Sequence, residues 1–345
     1  RRLPDVDFFL GPDAYRDLPR LLRGEGAPRR TDTRLRPEET YADLRPGRSR
    51  GVNAWLTVMR GCNRMCSYCM VPLARGRERG LPLEAVLEQA REIAAAGYRS
   101  VTLLGQTVTS YRDGENDFAG LVEAVAGVEG IERIRFLSPH PADFTPRLLE
   151  TMARLPRVCR HLHLPVQSGS DRVLAAMRRG YTRGGYLDLV ARARALLPGL
   201  AITTDLIAGF PGETEEDFAD TLALMRAVEF DQAFMFAYSP RPGTLAARAM
   251  ADDVPPEAKQ RRLETMIALQ EEHARGRYAA CVGRRVQVLI EGPAREPAGH
   301  WFGRSDDFKD VVCAPGPGRR TPAPGALLAV RIEAATSHTL RGTCL

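Results

Sequence analysis

Cys62-Asn63-Arg64-Met65-Cys66-Ser67-Tyr68-Cys69 places three thiols within eight positions, in a loop that follows a strand-like run at 54–59. Four further cysteines, Cys159, Cys281, Cys313 and Cys344, are scattered. An odd total of seven with one tight cluster argues against a disulfide framework and for a ligand set kept reduced in the cytoplasm. Structural zinc takes four closed ligands, usually from two Cys-x-x-Cys pairs. Here no second pair follows, and His140, His161 and His163 stand far off in sequence. Three thiolates suit a 4Fe-4S cluster that leaves one iron without a protein ligand, open to chelation by a small molecule. The competing reading is a zinc knuckle completed by a distant His or Cys.

Outward from this loop, strand-like runs at 54–59, 101–104, 131–137, 161–166, 202–208 and 232–238 alternate with helix-period stretches at 83–96, 118–125, 146–155, 171–179, 186–197 and 215–228. Thr145 before Pro146, Ser168 to Asp171, and Thr214 to Asp217 supply helix-start signals. Six strands alternating with helices predict an α/β fold, a parallel barrel or open partial barrel whose ligands collect at the carboxyl ends of the strands. Each later strand runs into polar or Gly-rich sequence at that rim, as in Leu104-Gly105-Gln106-Thr107 and Ser138-Pro139-His140-Pro141.

After a charged connector helix at 256–277, short strand-like runs at 285–291, 301–304, 309–314, 327–334 and 340–345, with a Pro/Gly loop at 316–325, predict a small all-β barrel of the OB-like kind. The whole chain of 345 residues, 44% hydrophobic and 27% charged, sustains a sizeable core and excludes disorder. No apolar run approaches the roughly 20 residues of a membrane-spanning helix. Of 49 basic side chains only Lys259 and Lys309 are lysines. Basic exceed acidic side chains by 12 to nine over 1–50, five to one over 51–80 and nine to six over 281–345, a distribution that permits a polyanionic partner.

The C-x-x-x-C-x-x-C spacing with an aromatic before the last cysteine resembles the radical SAM superfamily. That resemblance implies that Cys62, Cys66 and Cys69 ligate a 4Fe-4S cluster, that S-adenosylmethionine chelates its open iron, and that Tyr68 lies near the adenine. Met59-Arg60-Gly61-Cys62, Arg75-Gly76-Arg77-Glu78-Arg79, His161-Leu162-His163-Leu164-Pro165-Val166-Gln167-Ser168-Gly169 and Gly209-Phe210-Pro211-Gly212-Glu213-Thr214 resemble the methylthiotransferase branch, most closely its tRNA-modifying members. By that resemblance a partial (β/α)6 radical SAM barrel at 51–279 is followed by a TRAM-like RNA-binding domain at 280–345. A remnant of an N-terminal methylthiotransferase domain at 1–22 and a linker at 23–50 would precede them. Gly105 and Gln106 would meet the methionine moiety of S-adenosylmethionine, with Gln167, Ser168, Asp205 and Gly209 lining the rest of its pocket; Thr107 stands where the family commonly shows Asn. Arg75, Arg77 and Arg79 would guide a splayed RNA base, Arg304, Lys309 and Arg341 would contact phosphates, and Trp301 or Phe302 would stack.

The activity so implied is methylthiolation at C2 of an N6-isopentenyladenosine beside the anticodon. The expected partners are a tRNA anticodon stem-loop and a reducing electron donor, with the chain a monomer and no membrane involved. Methylthiotransferases usually begin with a domain whose cysteines hold a second, auxiliary 4Fe-4S cluster. No cysteine precedes Cys62, so the resemblance predicts a fragment that cleaves S-adenosylmethionine without completing sulfur insertion. Relatives that modify threonylcarbamoyl-adenosine in tRNA or an aspartate of a ribosomal protein share the cofactor motifs. A non-catalytic, metal-dependent RNA-binding protein is the alternative from another class.

Overall fold

The computed structural model describes residues 6, 8–24, 31–48, 51–318 and 321–345. The other parts of the expected N-terminal remnant, linker and Pro/Gly loop, at 1–5, 7, 25–30, 49–50 and 319–320, lie outside the described residues.

Six strands, β1 (Asn53–Thr57), β2 (Ser100–Leu104), β3 (Arg133–Phe136), β4 (His161–His163), β5 (Ala201–Ala208) and β6 (Gln232–Ala237), run parallel in chain order as two three-stranded halves. Ile134 joins the halves: its N–H donates to the Arg157 carbonyl (2.8 Å) and its carbonyl accepts from Cys159 N–H (3.0 Å). Among the described residues β1 and β6 do not pair, so the arc is an open barrel, as the alternation predicts. Apolar residues of the strands, among them Ala54, Leu56, Val101, Leu103, Ile134 and Leu162, pack with Val86, Ile93, Leu121, Leu148, Leu189 and Leu224 of the covering helices. That leaves the concave face to the site.

The covering helices are α1 (Leu83–Ala95), α2 (Phe118–Ala126), α3 (Pro146–Arg154), α4 (Asp171–Ala176), α5 (Arg183–Leu196) and α6 (Glu215–Val228). Thr145 caps α3, and Thr214 with Asp217 forms a reciprocal capping box on α6. At α4 the capping residue is Ser170 rather than Ser168, and the helix stops short of 179 because Arg178 and Gly180 take left-handed φ of +57° and +72°. α5 begins earlier than expected, at Arg183, where the Thr182 hydroxyl accepts from Gly185 N–H. The expected strand at 161–166 pairs only over His161–His163, since Pro165 has no N–H for the ladder.

A long helix, α7 (Pro256–Ala279), leads into β7 (Arg285–Pro293), β8 (Trp301–Ser305), β9 (Asp310–Ala314), β10 (Leu327–Ala335) and β11 (Thr339–Cys344). These close in the order β7-β8-β9-β11-β10, with β9 and β11 parallel and the other neighbours antiparallel, around Val288, Ile290, Val311, Val330, Ile332 and Leu340. The OB-like expectation holds.

The small barrel is locked onto the large one by charged side chains from β3 and from the loop before β9. Arg133 donates to the Arg304 and Gln287 carbonyls (2.5 and 2.8 Å), Arg135 to those of Ser305 and Asp306 (2.8 and 3.2 Å), and the Arg135 guanidinium lies 4.6 Å from the Phe308 ring centre. Lys309, expected at a phosphate, is buried and ion-paired to Asp231 (2.8 Å) and Asp307 (2.6 Å). Phosphate contact there would break a buried pair, so that assignment is corrected. Lys259, the other lysine, is equally buried, on Asp252 and the Tyr238 carbonyl.

In the N-terminal segment Phe9–Leu10 pairs in parallel with Thr31–Asp32, and a single-turn helix covers Leu18–Leu22. The described part of the expected linker packs on the core: Arg45 pairs with Glu88 and Glu92 of α1, and Tyr41 lies between the guanidinium groups of Arg16 and Arg60. No helix among the described residues is long and apolar enough to cross a membrane.

Lys309→Met leaves Asp231 buried without its cation and should cost about 3 kcal/mol, read as a lowered denaturant midpoint. His161 is held well below its ordinary range by burial, with Arg135, His163 and Lys309 adding repulsion. The folded chain therefore keeps it neutral. Its contribution to stability is complete above a pH of about 6.5 and falls below it, where the unfolded chain takes up a proton that the folded chain refuses. His161→Gln should flatten the acid limb of the Tm–pH profile; an unchanged slope would assign that limb to other groups.

Candidate metal centre

Met59–Arg60 pairs antiparallel with Arg79–Gly80, and the cysteine loop springs from that ribbon. Gly61 opens it at a φ of +75°, where a Cβ would stand 2.0 Å from the Arg77 carbonyl oxygen; only glycine fits. Ser67 then ties the loop down, its N–H donating to Met177 O (3.0 Å), its hydroxyl to Ala176 O (2.8 Å) and its carbonyl accepting from Ala246 N–H (2.7 Å). Cys69 N–H closes a turn on Cys66 O (3.1 Å). The result is that Cys62, Cys66 and Cys69 all line one cavity of about 240 Å³. It lies at the carboxyl rim, between Gln106 and Thr107 after β2, His140 after β3, His163 and Gln167 at the end of β4, and Asp205 on β5.

The donor set fits a cluster. All three cysteines are free thiols, and burial pushes Cys62 and Cys69 up, a cost that bound metal reverses. Three thiols on one cavity suit a cube that takes one sulfur per iron and leaves one iron open.

Each sulfur has its own polar neighbour. The Thr107 hydroxyl lies 2.8 Å from Cys62 Sγ, Val71 N–H donates to Cys69 Sγ (3.4 Å), and Arg179 Nη1 donates to Cys66 Sγ (3.3 Å). Such donors favour the thiolate. Arg179 is itself fixed by Pro165 O (2.9 Å) and the Tyr181 hydroxyl (2.9 Å). Burial, followed by repulsion from Arg179 and Arg64, pushes the His140 imidazole down to about 2. It is therefore neutral; its Nδ1 accepts from Ala142 N–H, while Nε2 is buried with no partner on the wall of this cavity. That orphaned N–H calls for an acceptor on a bound molecule.

Of the residues expected from the sequence, Tyr68, Gln106, Gln167 and Asp205 line the cavity with the cysteines. Gln106 Oε1 also accepts from Gly61 N–H (2.7 Å), coupling the second rim to the loop. Gly105, Ser168 and Gly209 stand back from the cavity and shape turns instead. A Cβ on Gly105 would meet Met59 Cγ at 2.5 Å, and one on Gly209, at a φ of +71°, would meet Lys259 Cγ at 2.3 Å. Ser168 is fully buried against Thr221 and accepts from Ser170 N–H. Thr107, His140 and Arg179 are not among the site residues expected from the sequence. Arg179 lies 113 positions from Cys66 and has no local signal.

The expected RNA contacts divide. Arg77 and Arg341 are exposed and Arg75 is half-buried. Arg79 turns inward to Asp13 (3.0 Å) and the Arg36 carbonyl (2.6 Å), with 8% of its side chain exposed, so its assignment to RNA is corrected. Arg304 is committed to Glu291 (2.9 Å) and Asp310 (3.1 Å), which neutralise it as a phosphate site. Trp301 and Phe302 are half-buried, and Trp301 packs against the small barrel's core.

Residues 56–225 match the radical SAM superfamily and residues 279–345 the TRAM domain. The chain is 47% identical over 343 residues to the tRNA-2-methylthio-N(6)-dimethylallyladenosine synthase of Prosthecochloris aestuarii, an alignment covering 98% of this chain and 77% of that protein. The synthases of the same name from Chlorobium luteolum and Porphyromonas gingivalis are also 47% identical, over 99% and 98% of this chain and 76% and 73% of theirs.

Gly61→Ala should spring the loop from the Gly76–Arg77 turn. Maleimide labelling of Cys62 and Cys66, both buried in the native chain, should accelerate severalfold without loss of far-ultraviolet circular dichroism; unchanged labelling would mean the turn tolerates a side chain.

Proposed function

We propose that Cys62, Cys66 and Cys69 hold the 4Fe-4S cluster of this chain, which belongs to the family of tRNA-2-methylthio-N(6)-dimethylallyladenosine synthases within the radical SAM superfamily. The chain is a radical SAM methylthiotransferase of the tRNA-modifying kind, with S-adenosylmethionine and a 4Fe-4S cluster as cofactors, and the reaction of its family adds a methylthio group at C2 of N6-dimethylallyladenosine. The observation that carries the ligand assignment is the convergence of the three thiols on one cavity at the carboxyl rim of the open barrel.

What the cluster and S-adenosylmethionine supply when bound is a 5′-deoxyadenosyl radical from one-electron cleavage of the sulfonium. The chain's residues bind, orient and exclude water. Thr107, Val71 N–H and Arg179 donate to the three sulfurs and hold them in register. Gln106, Gln167 and Asp205 provide the polar wall for S-adenosylmethionine, and the buried His140 Nε2–H offers it a donor. Tyr68, set edge-on to Phe210 with ring centres 6.4 Å apart, closes the apolar side. Arg75, Arg77 and Arg341 remain as phosphate contacts for the tRNA. The electron comes from a reductant outside the chain.

The test is anaerobic reconstitution with iron and sulfide, then S-adenosylmethionine and dithionite, with 5′-deoxyadenosine quantified. The wild-type chain should produce it and Cys66→Ala should reduce it to background. Stoichiometric iron and sulfide without any 5′-deoxyadenosine would refute the assignment, and bound zinc in place of iron would return the knuckle.

A further inference from the structure

We infer that Trp55, Phe234 and Phe236 form the wall that selects the dimethylallyl group of the substrate adenosine. This rests on the tRNA-modifying function above and adds the residues that set its specificity. The three side chains are 54%, 47% and 54% exposed, a large apolar surface for the interior of a barrel. They stand on the two edge strands of the open arc. On β1, Ala54 and Leu56 turn into the core, which puts Trp55 on the concave face; on β6, Ala233 and Met235 pack against the core and Phe234 and Phe236 face the other way.

Between these edges the concave face is polar. Thr102 is the cross-strand partner of Trp55, and Asp205 that of Phe234. Phe234 meets His163 edge-on at 5.9 Å, and His163 and Asp205 both line the cysteine cavity. Trp55 lines a second cavity of about 430 Å³ with Thr102, Arg135, His161 and Phe308. Thr203 stands between the two, its hydroxyl 3.1 Å from Nε2 of His161 on the second cavity and 3.0 Å from Nδ1 of His163 on the first. Aromatic edges over a polar floor, with Phe234 set against His163 and Asp205 of the metal-centre cavity, suit a splayed planar base that carries an apolar substituent.

The charges on these walls exclude the other kind of substituent. An anionic group on the base would need an uncommitted cation, yet each arginine lining the two cavities is engaged. Arg64 pairs with Asp143, Arg179 holds Pro165 O and Tyr181, Arg133 and Arg135 hold carbonyls of the small barrel, and Arg304 pairs with Glu291 and Asp310.

Equilibrium binding of the reconstituted chain, without reductant, to two anticodon stem-loop RNAs that differ only in the N6-dimethylallyl group reads this wall directly. The wild type should prefer the prenylated RNA by about tenfold or more. Trp55→Ala, Phe234→Ala and Phe236→Ala should each bring the ratio toward one, while Phe234→Leu keeps most of it; iron content and circular dichroism establish that each variant folds. Unchanged ratios in the alanine variants overturn the inference, as does an equal loss of affinity for both RNAs. A wild type that forms 5′-deoxyadenosine but shows no preference for the prenyl group also overturns it while leaving the proposed function standing; a wild type that prefers the prenylated RNA but forms no 5′-deoxyadenosine does the reverse.

Discussion

Three sulfurs spaced four and three positions apart line one cavity from a loop whose backbone is neither helix nor strand, and its neighbours hold that loop in place. An irregular segment has no ladder of its own, so its hydrogen bonds must be found elsewhere. Gly76, Met177, Ala176 and Ala246 supply them, which ties the loop to the end of the short helix Val71–Arg75, to the end of α4 and to the short helix Leu245–Ala249. The open barrel thus fixes the metal centre from three directions, and the left-handed turn at Gly61 sets where the loop begins.

Arginine dominates the basic composition, and the fold shows what much of it does. Arg133 and Arg135 reach from β3 to backbone carbonyls of the small barrel, Arg179 ties Pro165 to Cys66, and Arg79 joins the N-terminal segment to the cysteine ribbon. A planar guanidinium reaches two acceptors in fixed geometry, which a lysine ammonium does not reproduce. Reading clustered arginine as a footprint for RNA therefore applies only to the side chains left at the surface, Arg77 and Arg341 among them, and fails where the same residue type staples one segment to another.

Repeating local signals make the architecture legible. The period of the apolar residues, the Thr145 and Thr214 caps and the cysteine spacing locate the barrel, its helices and the loop to within a few residues. The small barrel is legible for the same reason. What the sequence hides is set by distant partners. Nothing near Arg179 announces that it reaches Cys66, nothing near Lys309 announces Asp231, and Ser168 and Ser170 compete as caps until the backbone decides. The glycines at 105 and 209 do sit close to the site, but their role differs from the one the resemblance implies, since they admit Met59 and Lys259 and do not touch the cavity.

Both lysines of the chain are interior, one beneath each rim of the structure, and both are ion-paired. The positive field outside is consequently made of guanidinium groups alone. Guanidinium groups keep their charge across the ordinary pH range, and both lysines of the chain are buried away from lysine-modifying enzymes. Salt around the chain, or a modification that sets negative charge beside these arginines, is what would weaken the attraction between it and a polyanion.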